Sequence, residues 1–310
     1  AFHLPFNLSA LRNLAGQTAI YGASSIGARF LNYLLVPLYT SKGVFEPAEY
    51  GVITSLYAWT AFLNVVLTFG METTFFRFTS NENTPLAKGS SGSVFTTASY
   101  ALLFSSLVFM LLGASLSESI ASGIGFPSHS TEVLLLVIII GIDALTAVPM
   151  ARLRQQGRAW RFASINIISV VVNVVLNLFI FLYCMKKYNA GNSNALIDAV
   201  YVPSFGVGYV FLINLISTGV KLVMLLPQWP AFKQFSKPLL RSMLLFGGPL
   251  MIAGLAGMVN ETADRIILKY LLPEGIADTQ IGIYGACYKL AVLITLFIQA
   301  FRMGAEPFFF

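Results

Sequence analysis

Long apolar runs, each broken at Pro, Gly, Asn or a charged position, set the pattern of this chain. A helix needs about 20 largely apolar residues to cross a bilayer. Eight segments of the 310 residues reach that length, at roughly 12–38, 50–73, 93–113, 132–150, 162–183, 206–227, 243–271 and 283–306. None shows the strict two-residue alternation of a membrane barrel, and a helix satisfies its own backbone polar groups in lipid. The pattern predicts an all-α fold, a polytopic membrane helical bundle. Segment 1 is too long for the apolar core of a signal peptide and no small-residue cleavage site follows it, so it reads as a retained helix.

The polar and small positions inside these segments recur. Tyr50-Gly51, Leu56, Gly70, Glu72 and Phe75-Phe76 return as Tyr284-Gly285, Leu290, Gly304, Glu306 and Phe309-Phe310, all shifted by 234. Arg29 and Pro37 return as Arg265 and Pro273, shifted by 236, and Leu35 matches Leu271. A pair of membrane helices therefore occurs twice, a construction common in secondary transporters, whose substrate sites lie between the repeats. The expected organisation is two pseudo-repeated lobes of six helices, residues 1–241 forming the first and 242–310 the opening helix pair of the second. On this reading four helices of the second lobe lie beyond Phe310 and the parent protein has at least twelve. Six being even, both lobes insert in the same direction.

Composition sharpens the class. Hydrophobic residues make up 56% of the chain and charged ones 10%, which excludes an ordinary soluble domain. Of the 19 Lys and Arg, ten fall in connections on one side (Arg12, Arg77, Lys88, Arg152, Arg154, Arg158, Arg161, Lys233, Lys237, Arg241). Four fall on the other (Lys42, Lys186, Lys187, Lys269), and five lie within helices. Positive charge collects on the cytoplasmic side, so the N-terminus is expected there, with Trp160 and Trp229 at the same interface. That asymmetry accounts for the formal charge of +6 without nucleic acid. Cys184 and Cys287 lack metal or redox spacing, His3 and His129 are isolated, and no phosphate-loop, zinc-protease or nucleophile-elbow motif stands in a usable context. The sequence predicts no enzyme, no cofactor and no metal.

Charges inside the bilayer are costly, about 2.5–3.5 kcal/mol each on insertion scales, and normally face the bundle interior or a wet cavity. Arg29 lies well inside helix 1 with no acid one turn away, and Arg265 holds the equivalent place in helix 7 beside Asp264. Glu261 could neutralise Arg265 as an i,i+4 pair; alternatively the two arginines bind an anion, and guanidinium forks on duplicated helices suit a pyrophosphate. Glu72 and Glu306 fall where helices 2 and 8 should end, against the macrodipole. They are either solvated interfacial groups or members of an inner gate, with Arg77 and Arg302 as nearby cations. Asp143, midway along helix 4, serves either ion coupling or a buried hydrogen bond. Lys289 either snorkels to the interface or lines the same cavity as the arginines. Asn166, Asn173 and Asn177 share a face of helix 5, where amides usually join helices. Gly247-Gly248-Pro249 is expected to kink the start of helix 7.

Several stretches resemble one family. They are Gly16 to Thr40, the Glu49-Tyr50-Gly51 entry to helix 2, the basic turn Arg152-Leu153-Arg154-Gln155-Gln156-Gly157-Arg158, and the run from Asn260 through Asp264-Arg265. They are similar to the polysaccharide-transport branch of the multidrug/oligosaccharidyl-lipid/polysaccharide exporter superfamily, which includes O-antigen and capsule flippases. The resemblance implies fourteen helices in two lobes, with helices 1, 2, 7 and 8 lining a central cavity. The implied cargo is an undecaprenyl-pyrophosphate-linked oligosaccharide, carried to the outer leaflet of a bacterial inner membrane, with Arg29 and Arg265 on the pyrophosphate. Na⁺ or H⁺ coupling and contact with glycan polymerase or export machinery would accompany it. The competing readings are a cation-coupled drug exporter of the same superfamily, whose cavity should be acidic and aromatic, and a non-transporting scaffold of a glycan-export complex.

Overall fold

A computed structural model describes residues 20–24, 26–28, 30–80, 91–230, 234–273 and 275–309, without the side chains of 80, 91, 293 and 295–309. Helix is the only regular structure among them. Helical backbone at residues 20–24, 26–28 and 30–33 leads into α1 (Leu35–Tyr39), followed by α2 (Pro47–Thr68), α3 (Met71–Ser80), α4 (Ser91–Ser115), α5 (Ser117–Gly123) and α6 (Ser130–Gln155). Then come α7 (Ala159–Leu178), extended through a π-helical turn (Phe179–Cys184) into α8 (Met185–Asn189), then α9 (Ala195–Val200) and α10 (Gly208–Leu225). The last two are α11 (Lys237–Leu271) and α12 (Ala277–Phe309).

Among the described residues six helical stretches are long and apolar enough to cross a membrane: Pro47–Thr79, Gly92–Ser115, Ser130–Gln155, Ala159–Asn189, Gly208–Gln228 and Lys237–Leu271. They coincide with the second to seventh segments expected from the sequence, and α12 occupies the eighth. The connection at 185–205 is more ordered than its composition suggests, carrying α8, α9 and a 3₁₀ turn at Pro203–Phe205.

Local chemistry explains the ends of α2. Pro47 pre-sets the first turn, the Glu46 side chain accepts from the backbone of Glu49, and the Glu46 N–H donates to Glu49 Oε2 at 2.8 Å. The helix stops at Phe69 and Gly70, both left-handed (φ 50° and 63°). A side chain at Gly70 would press on Leu250, its Cβ standing 2.9 Å from that residue's Cβ. Glu72 therefore lies in the first turn of a new helix, α3, and not at the end of helix 2. There the macrodipole favours a carboxylate, which corrects the expectation that it works against it.

Close helix crossings use glycine, as membrane packing requires where backbones approach. A Cβ at Gly51 in α2 would sit 2.7 Å from the carbonyl carbon of Asp278 in α12, and closer still to its oxygen. One at Gly282 would stand 3.0 Å from the Pro47 carbonyl carbon, and one at Gly285 2.6 Å from Thr54 Cγ2. Gly247 brings α11 against the α2–α3 break, 2.6 Å from the Phe69 oxygen if a Cβ were added. The helix runs without interruption through Gly247-Gly248-Pro249 from its start at Lys237, so the triplet is internal to α11.

Apolar side chains gather in several clusters, two of them large. Tyr39, Phe45, Tyr50, Phe181 and Phe211 gather in one, and Met71, Phe75, Phe95, Val148 and Met243 in the other. Buried polar side chains are used as helix-to-helix ties. The Tyr39 hydroxyl donates to Asn177 Oδ1 at 2.7 Å, and Asn177 Nδ2 donates to the Asn173 carbonyl at 2.8 Å. Ser169 and Ser217 each donate to the other's carbonyl, at 3.0 and 2.9 Å.

Candidate functional site

These helices line a cavity of about 720 Å³. On α2 and α3 it is lined by Ala61, Asn64, Val65, Thr68 and Glu72, and on α6 by Asp143, Thr146, Ala147, Met150 and Arg154. The α6 set follows the i, i+3, i+4, i+7, i+11 spacing of one helix face; Ala61, Asn64, Val65 and Thr68 do the same on α2, with Glu72 added from α3 beyond the break. Ala28, Phe162, Asn166, Lys221 and Met258 complete the wall. Glu72 Oε1 forms an ion pair with Arg154 Nη2, and Asp143 and Lys221 line the same cavity. Arg154 also stands 5.2 Å from the Phe76 ring centroid and 5.6 Å from that of Phe162, and its Nε is buried without a partner. The expected partner Arg77 instead lies 5.7 Å from the Phe246 ring.

A second constellation forms where α2, α11 and α12 meet. Arg265 of α11 is 9% exposed and lays its guanidinium over the Tyr288 ring of α12, 4.2 Å from the centroid. Lys289, the next residue on α12, places Nζ 5.3 Å from the ring centroid of Tyr50 on α2. Arg265 and Lys289 thus meet at the junction of α2, α11 and α12. Among the described residues no carboxylate lies within 4.0 Å of either. Arg265 Nη1 reaches only the Glu261 carbonyl, at 3.4 Å, and its Nε is buried with no partner.

The neighbouring acids are committed elsewhere. Asp264 accepts the Arg265 backbone N–H at 2.8 Å and the hydroxyl of Tyr284. Glu261 is exposed and makes no ion pair among the described residues. The i,i+4 pairing weighed from the sequence is therefore not formed, because Arg265 is drawn under Tyr288 and along its own helix. What remains is a pair of positive charges backed by aromatic faces, with guanidinium donors unspent. Such a group attracts an anion, since a phosphate oxygen would satisfy the donors and offset the like-charge repulsion.

Of the residues singled out by sequence, Arg265, Asp264 and Lys289 come together, with Glu261 one turn away. Glu72 and Asp143 share the larger cavity. Arg29 lies outside the described residues, as do the side chains of Arg302 and Glu306. Sequence reasoning missed Arg154, Lys221, Tyr50, Tyr284 and Tyr288. The matched i, i+3, i+4, i+7 stripes on α2 and α6 were a signal for the cavity. Tyr50 and Tyr284 stood out as matched positions of the repeat but without a site role, and nothing local announced Tyr288. Of the three asparagines on helix 5, Asn173 and Asn177 are structural while Asn166 faces the cavity. Cys184 is buried and Cys287 exposed, both free, and the described residues contain no cluster of His, Cys, Asp and Glu able to hold a metal.

A family model described as polysaccharide biosynthesis protein matches residues 14–309. Neither the curated proteins nor the solved structures contain a match to the chain.

Proposed function

Because the chain belongs to the polysaccharide biosynthesis protein family, the polysaccharide-transport branch of the exporter superfamily, we propose that this multi-pass membrane protein flips a lipid-linked oligosaccharide. The cargo is an undecaprenyl-pyrophosphate-linked oligosaccharide, moved from the cytoplasmic to the outer leaflet of a bacterial inner membrane by alternating access. The observation that carries this reading is the unpaired Arg265–Lys289 couple, whose unspent donors suit a pyrophosphate. Arg29, at the repeat-equivalent position of the sequence, is assigned the same role. The protein binds and moves its substrate and transforms none of it.

In the proposed cycle the pyrophosphate enters between α2, α11 and α12 while the sugars occupy the water-accessible cavity beside Asn64 and Asn166. Glu72 and Arg154 act as an inner gate whose ion pair must part for the glycan to pass, and Asp143 takes the coupling cation, H⁺ or Na⁺. The arginine-rich end faces the cytoplasm, where polymerase and export components would receive or deliver the glycan. A drug exporter for organic cations fits less well, since the cavity carries two basic side chains, Arg154 and Lys221, as well as its two acids.

The test is made in the native host. Depletion of the protein should raise undecaprenyl-pyrophosphate oligosaccharide on the cytoplasmic leaflet, and complementation by Arg265→Ala or Lys289→Ala should fail despite normal membrane insertion. Arg265→Lys should restore little, because the ammonium lacks the bidentate fork. Full complementation by an inserted Arg265→Ala protein would end the pyrophosphate reading. Unchanged lipid intermediates on depletion, with new sensitivity to cationic drugs, would move the protein to the exporter class.

A further inference from the structure

Three arginines converge on a second cavity, about 520 Å³, at the arginine-rich end of the bundle and away from the site above. Its walls come from the start of α4, the turn between α6 and α7, and the segment after α10. Arg152 lies in the last turn of α6, where cations suit the helix. Arg158 and Arg161 are different. They flank the N-terminus of α7, which carries no acid in its first turn and no side-chain cap. A helix N-terminus is itself partly positive, so these cations sit where their own helix disfavours them.

Arg152 is held in place. Its guanidinium lies 4.0 Å from the Phe95 ring centroid, Nη1 donates to the Gln228 carbonyl at 3.4 Å, and the charge of Arg158 acts on it. No carboxylate lines the cavity, and among the described residues none lies within 4.0 Å of the three guanidinium groups. The Gln228 side-chain amide is buried with both its nitrogen and its oxygen unpartnered, and Trp229 adds an indole to the wall. Exposed apolar side chains, Trp160 (75%) and Leu226 (53%), adjoin these residues in the chain, and a bilayer interface would cover them.

We propose that this cavity binds the phosphate headgroup of an anionic glycerophospholipid from the leaflet it faces. Uncompensated arginines ask for a phosphodiester, the buried amide offers it a further donor, and the apolar side chains nearby favour a phosphate that carries acyl tails over a free one. The site is separate from the cargo site, and its occupant would anchor the α6–α7 turn to the membrane surface.

Trp229 supplies the readout. With Trp59→Phe and Trp160→Phe it becomes the only tryptophan of the three. The protein is placed in nanodiscs of phosphatidylcholine containing phosphatidylglycerol brominated near its glycerol. Quenching of Trp229 should saturate at a lower fraction of brominated phosphatidylglycerol than of brominated phosphatidylcholine. The half-saturating fraction should rise about fivefold for each arginine neutralised in Arg158→Gln and Arg161→Gln. Both side chains are exposed, so these variants keep the fold even if Arg152→Gln does not. Equal quenching by the two lipids, or an unchanged half-saturation in the double variant, would overturn the proposal. Equal quenching combined with protection of Trp229 by millimolar inorganic phosphate would overturn it in favour of a free anion.

Discussion

The crossing of α2 and α12 offers the sharpest test of how this bundle is held together. Gly51→Ala would set a methyl carbon 2.7 Å from the Asp278 carbonyl carbon. Carbon atoms in contact settle about 3.5–4.0 Å apart, so the helices must part by about 1 Å. Backbone cannot rotate aside as a side chain would. Overpacking of this kind costs about 1–3 kcal/mol, offset in part by the helix preference of Ala over Gly, about 1 kcal/mol. Gly219 in α10 and Gly257 in α11 are helical glycines with nothing within 4 Å of an added Cβ, so Ala there should be neutral or stabilising. The expected gap between Gly51→Ala and Gly219→Ala is thus about 2 kcal/mol, read from far-UV circular dichroism during SDS titration in mixed micelles. Gly282→Ala presses on the same stretch of α2, its Cβ standing 3.0 Å from the Gly51 nitrogen. Once one methyl has parted the helices the second costs less, and the double variant should fall short of additivity by more than about 0.5 kcal/mol. Equal stability of Gly51→Ala and Gly219→Ala would refute the reasoning.

Two further outcomes follow from the polar contacts. Asn177→Leu strands the Tyr39 hydroxyl and should lower stability by about 1–3 kcal/mol in the same titration, whereas Asn177→Leu combined with Tyr39→Phe should recover part of that loss. Glu72→Gln and Arg154→Gln, at a pair whose side chains remain 47% and 31% exposed, should each cost less than about 1 kcal/mol of stability. In complementation assays both should nonetheless impair glycan export, with the charge-reversed double variant more active than either reversed single; equal loss in all three would remove the pair from the gate.

How much of this was legible depends on the range of the interaction. Apolar run length located the spans from α2 to α11, because a bilayer fixes the length a helix needs. The break at Phe69-Gly70 was not legible: one Gly in an apolar run looks like any other, and this one matters because Gly247 and Leu250 of a distant helix close on it. Missing that break reversed the sense of Glu72, placed at a helix end by sequence and at a helix start by structure. Arg154 was counted as an interfacial cation, although its distance of eleven residues from Asp143 put both on one face of α6. The Glu261–Arg265 pairing failed for a tertiary reason, since the Tyr288 ring that draws Arg265 away belongs to another helix.

The glycine crossing and the cation couple occupy the same place. Gly51 allows α2 to touch α12, and the residue before it, Tyr50, is the ring over which Lys289 lies. On α12, Gly285 seats the helix on Thr54, and one turn on Tyr288 and Lys289 face Arg265 and Tyr50. Backbone contact between α2 and α12 thus holds Lys289 over Tyr50, while Tyr288 beside it meets Arg265 of α11, so two like charges share this end of α12. An anion bridging them would turn the repulsion into attraction and tighten the crossing; its loss would relax both at once. By linkage, any ligand that favours the closed crossing must bind more weakly when methyl groups at Gly51 and Gly282 hold it open. The two alanine variants should therefore weaken pyrophosphate-lipid binding although neither residue touches the ligand. Undiminished binding by the parted helices would show that the couple and the crossing are independent.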